Sequence, residues 1–208
     1  NHLKTNGTKH KKILELGCGS GEHALRFANS GYSVLGLDIS DEMIRLANKR
    51  RDEASDYIQA KLEYICHDVR SFRTPRRFDC ILALFHVASY QTKNDDLDQL
   101  FATSAAHLEK GGKFIFDFWY GPAVLHKKPE NRQKEVENEH ISVLRKCRPE
   151  LTVNENRVDV NYDIMVTSKS SMETEIIREV HPMRYLFLPE IDFYLKRHGF
   201  TSWHAEEW

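Results

Sequence analysis

A glycine-rich segment near the start of the sequence carries the residues most suited to ligand chemistry. It reads Glu15-Leu-Gly17-Cys-Gly19-Ser-Gly21 and follows the apolar run Ile13–Leu16. Glycines between a strand and a helix allow a tight turn and let a ligand approach the main chain closely. A carboxylate two residues before the first glycine sits badly near a pyrophosphate but suits a ligand that carries an ammonium and a sulfonium. The segment therefore predicts a ligand with positive charges.

The spacing of these glycines differs from the dinucleotide-binding pattern. In a G-x-G-x-x-G loop the third glycine would stand where this sequence has Glu22, so it arrives here one residue early. Asp38, at the end of the next apolar run, is placed to accept hydrogen bonds from two ribose hydroxyls. A glycine-rich turn without any ligand is the structural alternative, and a NAD(P)-dependent oxidoreductase is the functional one.

The elements around this loop alternate between strand and helix up to residue 120. Apolar runs predict strands, and stripes at helical spacing predict helices between them. The predicted strands are Ile13–Leu16, Ser33–Leu37, Leu62–Cys66, Phe78–Phe85 and Lys113–Phe118. This alternation implies right-handed crossovers and an α/β fold with a doubly wound, mostly parallel sheet, whose ligands bind at the carboxyl ends of the strands.

The pattern changes after Tyr120. We expect a loop or flap over 121–137, followed by an antiparallel β-lobe, because three stretches then alternate with period two without helices between them. A helix over 189–198 and the start of a sixth strand over 201–208 follow. The predicted domains are a ligand-binding α/β core (1–120), an inserted antiparallel lobe (121–186) and a return to the core (187–208).

The glycine segment resembles motif I of class I S-adenosylmethionine (SAM)-dependent methyltransferases. Three further segments resemble later motifs of the family and extend the likeness over roughly residues 12 to 120: Gly36–Met43, His67–Val69 and Leu108–Phe116. Within the family, the look is closest to a bacterial small-molecule branch that includes N,N-dimethyltransferases of nucleotide-linked amino sugars. The resemblance implies a Rossmann-like sheet with the β-lobe inserted after strand five as an acceptor lid.

The resemblance also implies a set of cofactor contacts for SAM and its product S-adenosylhomocysteine. Glu15, Gly17, Cys18 and Gly19 would line the methionine part, and Leu84 would lie beside the sulfonium. Asp38 would hold the ribose. Ile39 and Met43 would pack against the adenine, and Asp68 and Val69 would bind its edge. Two of these residues keep an alternative. Met43 has the spacing of ordinary helix core, and Asp68 has the position of a turn cap.

Methyl transfer from SAM requires the enzyme to position the acceptor and remove a proton. A base near the strand ends is therefore expected, and the catalytic candidates are His86, Asp117 and His181, with His126 as a further one. His86 could instead be a loop histidine, and Asp117 could serve only to fix the backbone of its turn. An Asn/Asp-Pro-Pro-Tyr tetrad, typical of enzymes that methylate DNA bases, is absent after strand four.

Three residues are candidates for acceptor binding. Trp119 and Tyr120 could stack on a sugar or base, although aromatics at a lobe junction more often serve packing. Arg184 could bind a phosphate or carboxylate of the acceptor, or take part in a salt bridge on a solvated strand face.

Composition limits the partners. The 208 residues carry 30 basic and 31 acidic side chains, and this balance gives no electrostatic case for nucleic acid. No apolar run approaches the ~20 residues of a membrane helix, and no signal peptide is visible. The four scattered cysteines fit a reduced, cytoplasmic setting better than disulfides or zinc, so no metal is expected. A homodimer is left open.

The sequence therefore predicts methyl transfer from SAM to a nitrogen or oxygen of a small polar acceptor, such as a nucleotide-linked amino sugar. A SAM-binding regulator without catalysis is a further alternative. Family members usually begin with helical residues before strand one and end with an antiparallel strand pair. Because about 12 residues precede Ile13 and the sequence stops at Trp208, we expect segments at both ends to lie outside it.

Overall fold

The first sheet has five parallel strands in a computed structural model that describes residues 11–206. Its strands are β1 (Lys12–Leu16), β2 (Ser33–Asp38), β3 (Leu62–Cys66), β4 (Phe78–Ala83) and β5 (Leu108–Phe116), in the order β3-β2-β1-β4-β5. The chain crosses from the β1–β3 half to β4 on the other side of β1, which makes the sheet doubly wound. The predicted fold class is confirmed.

Burial explains why these strands were visible in the sequence. All of β1 except Lys12 is buried, and the middle of β2 is buried as well. Strands covered on both faces read as continuous apolar runs. The largest fully buried side chains of this sheet include Ile13, Leu37 and Ile81.

Four helices accompany these strands: α1 (Glu22–Asn29), α2 (Asp41–Asp52), the single turn α3 (Asp56–Gln59) and α4 (Asn94–His107). Ser40 caps the start of α2, because the N–H of Met43 donates to the Ser40 hydroxyl over 3.3 Å. Acidic residues occupy its first turn and basic residues its last, as the helix dipole favours.

The second sheet is mostly antiparallel. Its strands are β6 (Trp119–Tyr120), β7 (Arg132–Glu137), β8 (Ile141–Thr152), β9 (Arg157–Ser168) and β10 (Thr174–Leu186), in the order β6-β10-β9-β8-β7. Helix α5 (Gly121–His126) follows β6, and α6 (Leu188–Arg197) follows β10. The strands β8 to β10 are longer than the three alternating stretches that predicted them, which cover 141–145, 158–166 and 175–180.

A small apolar cluster stabilises one end of this second sheet. Val158, Val160, Met183 and Tyr185 are buried there, and Trp119 packs against them. Toward the far ends of β8, β9 and β10, most side chains are half-buried or exposed.

The contacts divide the chain into two compact units. Among the described residues, the first unit contains 11–87, 95–117 and 194–206, and the second contains 88–94 and 118–193. The segment 88–94 joins the second unit through main-chain bonds, since the N–H of Arg184 donates to the Ser89 carbonyl over 2.7 Å. The predicted domain boundaries at 120 and 186 stay a prediction.

Two predicted elements are wrong. Residues 121–137 form α5 and β7 and not one loop; Pro122 in the first turn of α5 suits a helix start, and β7 is an edge strand of exposed, mostly charged side chains without apolar alternation. Residues 201–206 form no strand, because no ladder partner for them lies among the described residues. The lead-in expected over residues 1–10 lies outside the described part of the chain.

Candidate functional site

The loop between β1 and α1 has an unusual backbone. Gly17, Gly19 and Gly21 all lie in the left-handed region, with φ of 71°, 52° and 74°. A Cβ added to Gly17 would come within 2.5 Å of the Val87 side chain, whereas one added to Gly19 would meet nothing within 4 Å. Gly17 is therefore required for packing, and Gly19 leaves open space where a ligand can approach the main chain.

Glu15 brings a carboxylate into the core beneath this loop. The residue is only 2% exposed, and its Oε2 has no hydrogen-bond partner within residues 11–206. Burial raises the pKa of Glu15 to about 8, and the N–H of Ala24, which donates to the carboxylate, offsets part of this shift. A buried carboxylate oxygen without a partner is costly unless a donor or cation meets it, so Glu15 fits the ammonium that the sequence predicted.

Asp38 joins the loop to the end of β2. One of its carboxylate oxygens accepts the N–H of Gly19 over 2.8 Å, and the other accepts the N–H of Ser40 over 3.0 Å. A carboxylate offers about four acceptor positions, so each oxygen can accept one more hydrogen bond. This geometry agrees with the pair of ribose hydroxyls predicted for Asp38, and it adds a structural role that the sequence did not reveal.

Two apolar side chains stand open to solvent beside Asp38. Ile39 is 70% exposed and Met43 is 39% exposed, while Ile44 and Ala47 are the residues of α2 that face the core. The structure thus excludes the helix-core alternative for Met43. Exposed apolar side chains next to a carboxylate that is predicted to bind ribose suit the face of a planar base.

Asp68 is engaged within the protein. Its carboxylate accepts hydrogen bonds from the main-chain N–H of Arg70, over 2.9 Å, and from two nitrogens of the Arg70 guanidinium. The same guanidinium also donates to Asp96. The Arg70 guanidinium lowers the pKa of Asp68. This geometry agrees with the turn-cap alternative, while Val69 beside it is buried.

Cys18 and Leu84 lie at the two neighbouring strand ends, β1 and β4. The Cys18 side chain packs into the apolar core of the first unit, where burial raises the pKa of its thiol, so only its main chain belongs to the loop. Leu84 follows β4 directly and packs against the same core from a half-buried position.

The turn after β4 is strained and anchored by Asp117. Phe85 and His86 are consecutive residues with φ of 60° and 69°, a region that costs a residue with a Cβ about 1–2 kcal/mol. The Asp117 carboxylate accepts both of their main-chain N–H groups, over 3.0 and 2.6 Å. Asp117 therefore fixes the backbone of this turn, as the structural alternative predicted. The His86 ring nitrogen Nδ1 lies 3.8 Å from Asp117.

His181 lies on β10 in the second unit. One ring nitrogen contacts the Tyr90 hydroxyl over 2.8 Å, and the other contacts the Glu179 carboxylate over 3.1 Å. Sequence reasoning named His181 but missed Tyr90, which lies 91 positions away in the chain and carries no motif.

The predicted acceptor residues make contacts within the second unit. The Trp119 side chain packs against the apolar cluster. The main-chain N–H of Trp119 donates to the Ser89 hydroxyl over 2.9 Å. Tyr120 is half-buried and caps α5. Arg184 is 7% exposed, and its guanidinium binds the Glu190 carboxylate and the Asn94 side chain. This is the salt-bridge alternative for Arg184.

Arg50 is a site residue that the sequence did not indicate. Its guanidinium donates to the Ser20 carbonyl and, over 2.8 Å, to the Ser20 hydroxyl within the glycine loop. No local signal links a basic residue near the end of α2 to a loop 30 residues earlier.

Residues 11–206 contain no group of three or more His, Cys, Asp or Glu side chains that could hold a metal ion. Within the same range, no helix is long and apolar enough to cross a membrane.

Part of the first unit is similar to known proteins. Residues 13–112 match a family model described as a methyltransferase domain. A dTDP-4-amino-2,3,4,6-tetradeoxy-D-glucose N,N-dimethyltransferase of Saccharopolyspora spinosa is 31% identical over 120 residues, which are 58% of this chain and 45% of the relative. A dTDP-3-amino-3,4,6-trideoxy-alpha-D-glucopyranose N,N-dimethyltransferase of Streptomyces venezuelae is 29% identical over 110 residues, 53% of this chain and 43% of the relative.

A solved structure is similar in fold over most of the chain. The sugar N-methyltransferase of a Streptoalloteichus species superposes with a TM-score of 0.79 at 18% identity, covering 91% of this chain and 72% of that one. The chain spans less than half the length of the two curated relatives. These matches support the methyltransferase prediction over the oxidoreductase alternative, and residues 13–112 match a methyltransferase domain.

Proposed function

We propose that this chain binds SAM at the loop after β1 and transfers its methyl group to the amino nitrogen of a nucleotide-linked sugar. The observation that carries the proposal is the buried Glu15 carboxylate, whose Oε2 lacks a partner among the described residues directly beneath a glycine loop with open space at Gly19. A hydrogen-bond donor or a cation would satisfy such a carboxylate, and the ammonium of SAM is both.

The residues of the first unit fit the parts of this cofactor. Glu15 would accept the ammonium of the methionine part, and Asp38 would accept the two ribose hydroxyls while it holds the N–H of Gly19. Ile39 and Met43 would cover the adenine, and Asp68 and Val69 would lie at its edge. When bound, SAM supplies a methyl carbon on a sulfonium, already activated for displacement.

The acceptor class is supported by the relatives. Both curated relatives are named for the N,N-dimethylation of amino sugars linked to dTDP, and the structural neighbour is named a sugar N-methyltransferase. For this chain we therefore propose nitrogen rather than oxygen as the receiving atom. An amine must lose a proton before its lone pair can attack a methyl carbon.

The structure changes the roles proposed for the three catalytic candidates. Asp117 already accepts an N–H at each oxygen, so we propose it as the anchor of the Phe85–His86 turn and not as the base. His86 and His181 remain the proposed bases. We do not propose Arg184 as a phosphate ligand, because Glu190 already neutralises its buried guanidinium. Trp119 and Tyr120 are kept only as walls of the acceptor region.

The proposal is tested by measuring S-adenosylhomocysteine formation with SAM and the two dTDP-linked amino sugars named in the relatives. We expect turnover with one of them and a loss of at least 100-fold in Asp38→Ala. SAM binding without turnover on any amino sugar would contradict the acceptor class and favour a SAM-binding regulator. Absence of SAM binding would overturn the proposal as a whole.

A further inference from the structure

The glycine loop after β1 is attached to the strands beside it. The N–H of Cys18 donates to the Leu37 carbonyl of β2 over 2.8 Å. The Tyr64 hydroxyl of β3 donates to the Gly21 carbonyl over 3.4 Å. The segment 18–21 is therefore attached to the sheet at both of its ends, through contacts that lie within the first unit.

Arg50, near the end of α2, holds the middle of this segment. Its guanidinium donates to the Ser20 carbonyl and, over 2.8 Å, to the Ser20 hydroxyl. Hydrogen bonds from a charged donor are stronger than those between neutral groups. Ser20 stands between Gly19 and Gly21, and glycines leave the backbone free to adopt many conformations. The Arg50 contact therefore restrains the part of the loop that its glycines leave free.

The same helix begins at the part of the site proposed for the adenine. Met43 lies near the start of α2 and is 39% exposed, whereas Arg50 lies in the last turn of this twelve-residue helix. A rise of about 1.5 Å per residue separates these two residues by about 10 Å along the helix axis. One rigid element thus has the proposed adenine wall near one end and the Ser20 contact near the other.

Asp38 makes a first connection between the loop and α2. Its two carboxylate oxygens accept the N–H groups of Gly19 and Ser40, and Ser40 is the N-cap of α2. A single connection leaves the loop free to turn about it. Arg50 makes a second connection near the opposite end of the helix, and two connections fix the orientation of the loop against the helix.

Two other arginines of α2 provide a contrast, because they pair within the helix itself. Arg45 donates to Glu42, and both side chains are about equally exposed, at 62% and 60%. Arg51 donates to its neighbour Asp52 over 2.8 Å. Exposed pairs of this kind contribute little to stability. The partner of Arg50 lies 30 positions away, in the glycine loop.

We propose that Arg50 is a positioning residue for the cofactor. Through Ser20 it fixes the distance between the glycine loop, where the methionine part of SAM would bind, and the start of α2, where the adenine would bind. This inference rests on the proposed function and deepens it, because it assigns the spacing of the two parts of the site to one side chain that contacts neither part of the ligand.

The proposal predicts that ligands of different length respond differently. S-adenosylhomocysteine spans both parts of the site. 5′-Methylthioadenosine carries the same adenine, ribose and thioether sulfur but lacks the amino-acid ammonium and carboxylate. A ligand that fills two subsites binds well only when their separation is fixed beforehand, whereas a ligand that fills one subsite does not depend on that separation.

The test measures the affinities of the parent and of Arg50→Ala for these two ligands by calorimetry. We expect the affinity for S-adenosylhomocysteine to fall about 10-fold and that for 5′-methylthioadenosine to fall less than about 2-fold. Equal losses for the two ligands would mean a general disturbance of the site. Unchanged affinity for S-adenosylhomocysteine would mean that the loop does not depend on Arg50. Either result would overturn the proposal.

The matched control is Arg51→Ala, which removes the same type of side chain and the same charge one position further on. It should leave both affinities at the parental value. Ser20→Ala keeps the carbonyl but loses the hydroxyl, and should weaken S-adenosylhomocysteine by about 3-fold. Arg50→Lys, which keeps the charge and a donor, should recover part of the loss. If Arg51→Ala weakens S-adenosylhomocysteine as much as Arg50→Ala, net charge is responsible and the proposal is wrong.

A second readout needs no ligand. Amide hydrogen exchange at Gly19 and Gly21 should be about 5-fold or more faster in Arg50→Ala than in Arg51→Ala, because the loop opens locally more often. Equal exchange in the two variants would contradict the restraint by Arg50. If the parent binds neither ligand, the proposed function fails, and the exchange rates decide on Arg50 separately.

Discussion

The two units of the chain differ in where their polar groups lie. In the first unit, two carboxylates are buried at the carboxyl ends of parallel strands. Glu15 is 2% exposed, and the side chain of Asp117 is 12% exposed. In the second unit, ion pairs spread over a half-exposed sheet, as where Arg148 and Arg178 approach Asp163. Asp117, whose carboxylate accepts two main-chain N–H groups, should therefore cost more to change than Asp163, whose arginine partners are exposed.

The comparison also separates two kinds of site. The first unit shapes its ligand loop with main-chain conformation, since Gly17 and Gly19 have positive φ and Asp38 accepts main-chain N–H groups. The second unit offers side chains on an open strand face, where Tyr90 and His181 meet.

The largest effect on stability is expected at Asp117. Asp117→Ala should lower the free energy of unfolding by about 3 kcal/mol, because two N–H acceptors are lost at a strained turn. Asp163→Ala, at a similarly screened position (19% exposed), should cost less than about 1 kcal/mol. Urea unfolding of both variants measures the difference, and equal losses would contradict the contrast between the units.

The next effect concerns Glu15 and pH. Because its pKa is raised from 4.5 to about 8 in the folded state, the folded protein holds an extra proton between these values, and its stability should fall as pH rises through this window. Glu15→Gln should remove that slope. SAM affinity should rise toward pH 8, since a cation favours the ionised carboxylate. Parallel stability curves for parent and variant would exclude this role.

A smaller effect on stability is expected at Gly19, with a matched control at Gly31. Both residues have positive φ, of 52° and 92°, and an added Cβ meets nothing within 4 Å at either. Gly19→Ala and Gly31→Ala should each cost about 1 kcal/mol from backbone strain. Only Gly19→Ala should weaken SAM binding, as measured by calorimetry. Equal SAM affinity in the two variants would remove Gly19 from the site.

The smallest effect is expected on the exposed sheet of the second unit. Lys169 pairs with Glu137 over 2.7 Å, with side chains 39% and 66% exposed. Lys169→Ala should change the melting temperature by no more than about 2 °C, because exposed pairs contribute little. A larger drop would mean that this part of the sheet is more tightly coupled than its exposure suggests.

The sequence revealed the first unit more completely than the second. The strands around Ile13 and Ile81 were predictable because burial on both faces requires continuous apolar runs. Strand β7 was missed because an exposed edge strand needs no apolar face, and α5 was missed because a short helix marked mainly by Pro122 carries little periodicity.

The same limit applies to the site. Glu15, Gly19 and Asp38 were predictable because their spacing along the chain reflects the geometry of one loop. The pairings of Asp117 with the Phe85–His86 turn and of Tyr90 with His181 join positions 31 or more residues apart. Such contacts depend on the tertiary fold, and no local pattern announces them.

The most direct measurement is a calorimetric titration of the chain with S-adenosylhomocysteine, alongside Glu15→Gln and Asp38→Ala. We expect the parent to bind S-adenosylhomocysteine in the micromolar range and each variant to bind it about 10-fold or more weakly. Parental affinity in both variants, or no binding to the parent, would contradict the assignment of the loop after β1 as the cofactor site.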